Sequence, residues 1–197
     1  YLVGFRRIEI KNNRMLLNGK RLRLLGVNRH EWSAKTGRVI TKEEMVWDIG
    51  CMLRNGINAV RTSHYPNQIP WYTLCDEAGL YVMAEVNMET HGSWQKMGAV
   101  EPSWNLPGSD KKWLAAVLDR AKTNFEVFKN HPSILFWSLG NESYAEENIA
   151  AMHDYYKAVD RSRLVHYEGV HHNRAYEDRI SDVESRMYAR PAEIIAY

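Results

Sequence analysis

The residue types that most directly suggest chemistry are Asn141 and Glu142, at the end of the apolar run that begins at Ile134. A carboxylate placed where a hydrophobic strand reaches the surface is poorly solvated, so its pKa tends to rise and it can hold a proton near neutral pH. A general acid needs this property. The alternative is that Glu142 only begins the next helix, where a negative charge suits the positive end of the helix dipole. The stretch by itself leaves both interpretations open.

Several other ionisable side chains also follow predicted strands. Together with Asn141 and Glu142, the set consists of His30, His64, Glu89, His91 and Tyr188. Since the carboxyl ends of parallel strands meet at one rim, we expect these side chains to converge there. Each one alone has a plainer explanation: a histidine near a strand end is more often a structural group, and Tyr188 can lie in the core with only its hydroxyl in water. The convergence is therefore the observation that favours a functional site.

Glu89 and His91 form a short motif that could bind a metal. Zinc is a poor match, because no third nitrogen or sulfur ligand stands near them in the sequence. If Glu142 lies close in space, two carboxylates and one imidazole suit a Mg²⁺ ion that keeps several water ligands. The sequence thus favours Mg²⁺ over Zn²⁺ at this position.

The elements that must position these side chains are predicted from the apolar pattern and the turn residues. Residues 1–21 predict a lead-in β-hairpin, with turns at Asn12-Asn13 and Asn18-Gly19. Over 22–197, strands alternate with helices in one repeated plan. The strands are predicted at 22–27, 57–60, 80–84, from 134, at 164–167 and at 183–188, and the helices at 41–54, 70–77, 110–129, 145–159 and 191–197. Thr41 and Glu44 have the spacing of a capping box, and Ser109 is the predicted N-cap of the longest helix.

This alternation predicts an α/β fold with a parallel sheet, for which two architectures come into question. A Rossmann-type fold would place GxGxxG after its first strand, and the stretch Gly26–Glu31 does not supply it. A (β/α)8 TIM barrel builds its site from the ends of several strands, which matches the ionisable residues that follow the predicted strands. A complete barrel takes about 250 residues, so about six of eight strand-helix units are expected in 22–197. The remaining units are expected beyond Tyr197.

The composition excludes several classes of function. The chain has 197 residues, of which 45% are hydrophobic, and its mean hydropathy of −0.50 is typical of a globular protein with a sizeable core. The net charge is +2 and no block of Lys or Arg stands out, so no nucleic-acid partner is expected. No apolar stretch approaches the ~18 residues of a membrane span, and the first residues lack the order of a signal peptide. No membrane association is expected.

Five short stretches together resemble a known family. They are Asn28–Glu31, Arg61–Pro66, Asn87–Gly92, His131-Pro132 with Trp137–Glu142, and Met187–Arg190. In their residues and order they resemble the catalytic barrel of bacterial β-galactosidases of glycoside hydrolase family 2, over nearly the whole chain. The Asn141-Glu142 pair alone is similar only to the wider clan of retaining glycosidases. The stretches Asn87–Gly92 and Met187–Arg190 are the ones that resemble β-galactosidases more than β-glucuronidases or β-mannosidases.

The resemblance implies a role for each matching residue. Glu142 would be the general acid/base, and Asn141 the group that hydrogen-bonds the sugar 2-hydroxyl. Both roles fit the chemistry, because a glycosidic oxygen leaves poorly until it is protonated, and a hydrogen bond at the 2-position strengthens at the oxocarbenium-like transition state. The other implied roles are Mg²⁺ ligands for Glu89, His91 and Glu142, galactosyl contacts for His30 and His64, a place beside the nucleophile for Tyr188, and stabilisation of the nucleophile's charge by Arg61.

The resemblance also implies that one catalytic group lies outside the chain. A retaining glycosidase needs a second carboxylate about 5–5.5 Å from the first to form the glycosyl-enzyme. In this family it follows the Met187–Arg190 stretch, so it is expected beyond Tyr197, and neither Glu168 nor Glu184 matches its motif. The predicted function is hydrolysis of terminal β-D-galactosides of the lactose type, by general acid/base and nucleophilic catalysis with retention. The alternatives are another family 2 hydrolase, a catalytically inert barrel fragment, and a carbohydrate-binding module.

The family further implies the setting in which the chain works. Besides the β-galactoside substrate, the implied partners are further domains of a longer chain and other copies in a homo-oligomer. Na⁺ is implied as a second ion in the full-length protein. The family's usual compartment, the cytoplasm, is the expected location.

Overall fold

The structure, a computed structural model, describes residues 3–97 and 99–196. The strands are β1 Ile8–Lys11, β2 Arg14–Leu17, β3 Lys20–Arg21, β4 Gly26–Arg29, β5 Ala59–Thr62, β6 Tyr81–Glu85, β7 Gln95–Lys96, β8 Ala99–Val100, β9 Ile134–Ser138 and β10 Leu164–His166. The helices are α1 Lys42–Arg54, α2 Ile69–Ala78, α3 His91–Trp94, α4 Lys111–Phe128, α5 Glu147–Val159, α6 Glu177–Ile180 and α7 Pro191–Ile195, with 3₁₀ segments at Pro102–Trp104, Glu168–His172 and Arg174–Tyr176. Within the described ranges, no helix is long and apolar enough to cross a membrane.

The centre of the fold is a parallel sheet of five strands in the order β4-β5-β6-β9-β10. Helices α1, α2, α4 and α5 each connect one strand of this sheet to the next along the chain. Parallel neighbours joined by a helix are the repeating unit of a (β/α)8 barrel, so the predicted fold class is confirmed over five strands. All five residues of β9 are buried, because a parallel strand is covered on both faces.

The predicted lead-in hairpin is present and has a third strand. Strands β1, β2 and β3 form a separate antiparallel sheet. All four residues of the turn pairs Asn12-Asn13 and Asn18-Gly19 have positive φ, the backbone that two-residue hairpin turns require and that Asn and Gly tolerate. Arg6 connects this sheet to the barrel, since its Nη2 donates to the Ile134 carbonyl at 2.9 Å.

The predicted helix caps were correct in one case and wrong in another. Thr41 caps α1: its hydroxyl accepts the Glu44 N–H at 3.2 Å, and the Glu44 carboxylate accepts the Thr41 N–H at 2.9 Å. This is the predicted capping box. Ser109 is not the cap of α4; its hydroxyl donates to Glu146 at 2.7 Å, and the carboxylate of Asp110 accepts a first-turn N–H instead. A carboxylate is the stronger acceptor at the positive end of a helix.

The predicted sixth strand at 183–188 is wrong. Among the described residues, this segment passes beside β10 without forming a strand. The Asp182 carboxylate accepts the Val165 N–H at 2.7 Å, while the Asp182 N–H donates to the Val165 carbonyl at 2.8 Å. A side chain therefore occupies the backbone donor that would have extended the ladder to another strand.

A buried charge cluster links the segment before β10 to β9. Arg163 donates to Asp160 at 2.6 Å and to the Ile134 carbonyl at 3.0 Å, and the indole Nε1 of Trp137 donates to the same Asp160 carboxylate at 2.9 Å. Burial opposes the charge of Asp160, but the hydrogen bonds from Ser162, Arg163 and Trp137 outweigh it and lower the pKa to about 2. We refer to Asp160, Arg163 and Trp137 as the amino-end cluster.

Candidate active site

The carboxyl ends of the strands bring most of the predicted residues to one rim. His30 follows β4 and His64 follows β5, and their rings meet edge to face with centroids 5.2 Å apart. Glu89 and His91 lie after β6, and a single parallel bridge joins Glu89 to Asn141 after β9. Residues distant in sequence therefore share one surface, as the barrel geometry requires.

Asn141 lies between two carboxylates. Its Nδ2 donates to Glu89 Oε1 at 3.0 Å and to Glu142 Oε2 at 3.2 Å. Its Oδ1 accepts from Arg61 Nη2 at 3.1 Å. Because a guanidinium can only donate, Arg61 fixes which end of the amide faces the two carboxylates.

His91 completes a cluster with the donor set of a hard cation. Its Nδ1 lies 3.7 Å from Glu89 Oε1 and 3.6 Å from Glu142 Oε2, and the three side chains are between 27% and 49% exposed. One ligand atom from each residue lies within 4.8 Å of the other two. Neighbouring ligands of an octahedral Mg²⁺ with bonds of about 2.0–2.1 Å are about 3 Å apart. Small side-chain movements would bring the donor atoms from 3.6–3.7 Å to this spacing. The exposure of the three side chains leaves room for water ligands, so the residues fit Mg²⁺.

A buried carboxylate connects the two sides of the rim. Glu85, at the end of β6, accepts from Arg61 Nε, from Ser138 Oγ at 2.6 Å and from His64 Nδ1 at 2.7 Å. Burial opposes its charge, but the hydrogen bonds from His64, Arg61 and Ser138 and the charge of Arg61 together lower the pKa of Glu85. Since His64 uses Nδ1 on Glu85, Nε2 is the ring nitrogen that remains for a ligand.

A second imidazole, that of His166, continues this network inside the barrel. Its Nδ1 lies 3.0 Å from Ser138 Oγ, and its Nε2 lies 3.2 Å from Ser185 Oγ. Burial, together with the nearby Arg61 guanidinium, lowers the pKa of His166 to about 3. His166 is therefore a neutral hydrogen-bonding group at physiological pH.

The backbone of Glu142 has an unusual conformation. Its φ is 38°, in the left-handed region that costs a residue with a side chain about 1–2 kcal/mol. Its N–H donates to Glu168 Oε1 at 2.6 Å, and its carbonyl accepts from Trp94 Nε1 at 2.8 Å. Burial raises the pKa of Glu168 to about 7. Backbone strain of this kind is concentrated at functional sites, where surrounding contacts hold it.

The residue before this pair has to be glycine. Gly140 has a φ of 126°, and a Cβ at this position would lie 2.5 Å from the carbonyl oxygen of Met88. The same carbonyl accepts the Asn141 N–H at 2.8 Å. The loops after β6 and β9 can approach this closely only because residue 140 has no side chain.

Tyr188 is the predicted site residue that the structure does not bring to the cluster. It is 90% exposed, and the segment around it forms no strand that would direct its side chain. Its implied place beside a nucleophile stays a prediction.

Comparison with known sequences identifies the family to which the chain belongs. The chain matches the sequence model described as "Glycosyl hydrolases family 2, TIM barrel domain" over residues 8–196. The chain belongs to glycoside hydrolase family 2. The resemblance predicted from five short stretches is thereby confirmed, and the barrel observed here is the family 2 barrel.

Individual relatives of this family 2 chain are close in sequence and much longer. The β-galactosidase large subunit of Latilactobacillus sakei is 68% identical over 194 residues, which are 98% of this chain and 31% of that protein. The β-galactosidase of Halalkalibacterium halodurans is 63% identical over 99% of this chain and 19% of that protein. Among solved structures, the β-D-glucuronidase of Dictyoglomus thermophilum has a TM-score of 0.75 and 26% identity, and the match covers 84% of this chain and 29% of that one. The chain thus spans about a third or less of the length of these relatives.

Three residues that hold the family 2 site together were not among the predicted site residues. Glu85 ends a buried strand in an acidic group, the same signal that singled out Glu142, and could have been found by it. Glu168 also follows a predicted strand, but the family resemblance gives it no role, because it does not match the motif of the nucleophile. Trp94 ends the short helix α3 and carries no local signal in the sequence. Its bond to Glu142 spans 48 positions and exists only in the folded chain.

Proposed function

We propose that the complete protein carrying this chain is a retaining glycoside hydrolase that cleaves terminal β-D-galactosides, with Glu142 as its general acid/base. The observation that carries the proposal is the position of Glu142. It lies on the carboxyl rim of the barrel, its side chain is 27% exposed, and Asn141 holds its carboxylate at 3.2 Å. The carboxyl group can therefore meet a substrate while its backbone stays fixed to the sheet.

The proposed reaction has two halves. In the first, Glu142 in its acid form gives its proton to the glycosidic oxygen as the bond to the anomeric carbon breaks. A second carboxylate, from outside residues 1–197, bonds to that carbon. In the second half, ionised Glu142 takes a proton from water, the water oxygen bonds to the anomeric carbon, and the second carboxylate leaves. Glu142 ends in its acid form, so the proton balance closes.

His30 and His64 are the groups that we propose for the galactosyl hydroxyls. Burial and the adjacent His64 lower the pKa of His30, so its ring is neutral at pH 7 and offers one donor and one acceptor. Glu85 leaves Nε2 of His64 for a ligand. The neutral ring of His30 suits sugar hydroxyls better than it suits the carboxylate of a glucuronide, for which a fixed cation is the better partner.

The relatives support the same substrate. Curated relatives named β-galactosidase are 55–68% identical to this chain. The structural neighbours named β-glucuronidase are 24–27% identical. The larger identity favours a galactoside.

A substrate comparison tests the proposal on the complete protein. With nitrophenyl β-D-galactoside, β-D-glucuronide and β-D-mannoside, kcat/KM for the galactoside is expected to exceed the others by at least about 10²-fold, since sites that hydrogen-bond a hydroxyl reject sugars that lack it in that position. The first anomer released, followed by NMR, is expected to be β-galactose. A preference for the glucuronide, or release of the α-anomer, would contradict the proposal.

We also propose that Glu89, His91 and Glu142 hold Mg²⁺. When bound, the ion would offset the charge of the two carboxylates in this exposed cluster. Asn141 orients the two carboxylates for this ion, because its amide donates to both Glu89 and Glu142 and so keeps them close together. His91 is the third ligand, and its exposed ring can rotate to meet the ion.

Removing one ligand tests this assignment independently of catalysis. Glu89→Gln is expected to weaken Mg²⁺ binding, measured by calorimetry on the complete protein, by at least about 10²-fold, because changes to outer partners of ligands alone cost about 10–100-fold. Glu101→Gln is the control, since Glu101 pairs with Lys96 outside the cluster. An unchanged affinity in Glu89→Gln would refute the site.

A further inference from the structure

Two buried side chains hold the backbone of Glu142 on both sides of its α-carbon. Glu168, 1% exposed, accepts the Glu142 N–H at 2.6 Å. Trp94, also 1% exposed, donates its indole N–H to the Glu142 carbonyl at 2.8 Å. The two bonds span 26 and 48 positions in the sequence. Neither bond follows from a local turn or helix.

The residues on either side of Glu142 are held in the same manner. The Asn141 N–H donates to the Met88 carbonyl at 2.8 Å, and the Ser143 N–H donates to the Tyr167 hydroxyl at 3.0 Å. Consecutive peptide groups thus bond to the loops after β6 and β10. This leaves the φ and ψ angles of Glu142 little freedom.

The restraint matters because the Glu142 side chain has few contacts of its own. Its carboxylate bonds to Asn141 at 3.2 Å and lies 3.6 Å from His91. At a φ of 38°, a residue with a side chain is held only by its surroundings. Relaxation of φ would swing the carboxylate, and a displacement of about 1 Å is enough to cost about 10²-fold in rate.

We propose that Glu168 and Trp94 are positioning residues, which set the direction of the Glu142 carboxylate by holding its backbone in the left-handed conformation. The inference rests on the proposed role of Glu142 as general acid/base. The Glu168 side chain makes no other hydrogen bond among the described residues, since its Oε2 is buried without a partner. The only hydrogen bond of the Glu168 side chain among the described residues is therefore the one it accepts from the backbone N–H of Glu142.

The test measures kcat/KM, which reports the steps up to cleavage of the glycosidic bond, on the complete protein. Lactose, whose leaving group needs a proton, is compared with a dinitrophenyl galactoside, whose leaving group does not. Glu168→Ala and Trp94→Phe are each expected to lower kcat/KM for lactose by about 10²-fold, with a much smaller effect on the dinitrophenyl substrate. Glu168→Gln keeps an acceptor for the Glu142 N–H and is expected to restore most of the lost rate. In a Glu142→Gln background, Glu168→Ala is expected to cause no further loss with lactose.

Asp160→Ala is the matched control, because Asp160 is also a buried carboxylate that accepts from an indole N–H, but in the amino-end cluster. It is expected to lower the melting temperature and to leave the ratio of the two substrates unchanged. An equal loss on both substrates, or the same loss in the Glu142→Gln background, would overturn the positioning role. If Glu142→Gln itself does not separate the substrates, the acid/base assignment is overturned; if it does and neither single variant does, only the positioning role is. Since Glu168 and Trp94 hold different atoms, either variant that folds decides the question.

Discussion

Replacing Glu142 with Gln in the complete protein is expected to lower kcat/KM for lactose by about 10²–10⁴-fold, the contribution of a general acid when the leaving group needs a proton. The amide keeps the shape of the side chain and can still bond to Asn141. It has no acidic proton to give to the glycosidic oxygen. A dinitrophenyl galactoside is expected to lose much less, because its leaving group is stable as an anion.

Glu126→Gln is the control for this experiment. Glu126 lies on α4 with its side chain 60% exposed and pairs with Lys129 away from the rim. Both substrates are expected to react at the wild-type rate in this variant. Unchanged hydrolysis of lactose by Glu142→Gln would remove Glu142 from the reaction.

Acidification is expected to destabilise the barrel through His166. Its pKa is about 3 in the folded chain, against 6.5 for an ordinary histidine. Between these values the unfolded chain binds a proton that the folded chain does not, so stability is full above about pH 6.5 and is lost as the pH falls toward 3. At about 1.36 kcal/mol for each pH unit, the loss from His166 between pH 7 and pH 4 is about 3 kcal/mol.

The comparison of wild type with His166→Gln isolates this contribution. The variant loses hydrogen bonds to Ser138 and Ser185 and starts less stable, but residue 166 no longer titrates. The difference in free energy of unfolding, measured in urea from pH 7 to pH 4, is expected to shrink by about 3 kcal/mol. Parallel stability curves over that range would show that His166 takes up its proton in the folded protein.

The fold was predictable where one local signal dominated. The capping box of Thr41 and Glu44 depends on residues three apart, and the continuous apolar run at Ile134 predicts a strand buried on both faces. The prediction of a sixth strand failed for a non-local reason: the Asp182 carboxylate accepts the backbone N–H of Val165, which would otherwise have bonded to a neighbouring strand. The prediction of Ser109 as the N-cap of α4 failed because Asp110 can also cap a helix, and the Ser109 hydroxyl bonds to Glu146, 37 positions away.

The residues on the rim of the site were predictable from the strand ends. The side chains that hold those residues in place were not. A parallel barrel brings Asn141 near Glu89 whatever the details of packing. The bond from Arg61 to Glu85 and the indole bond from Trp94 depend on side-chain directions set by tertiary packing. No spacing rule encodes these directions.

The location of the amino-end cluster has a practical consequence for engineering the complete protein. Asp160 and Arg163 lie before β10, at the amino end of that strand, while the proposed chemistry takes place at the carboxyl ends of the strands. A variant library confined to residues around the amino-end cluster can raise the working temperature, and a second library in the rim loops can alter which sugar is accepted. Because distant substitutions contribute nearly additively, the best variants of each library can be combined in one gene.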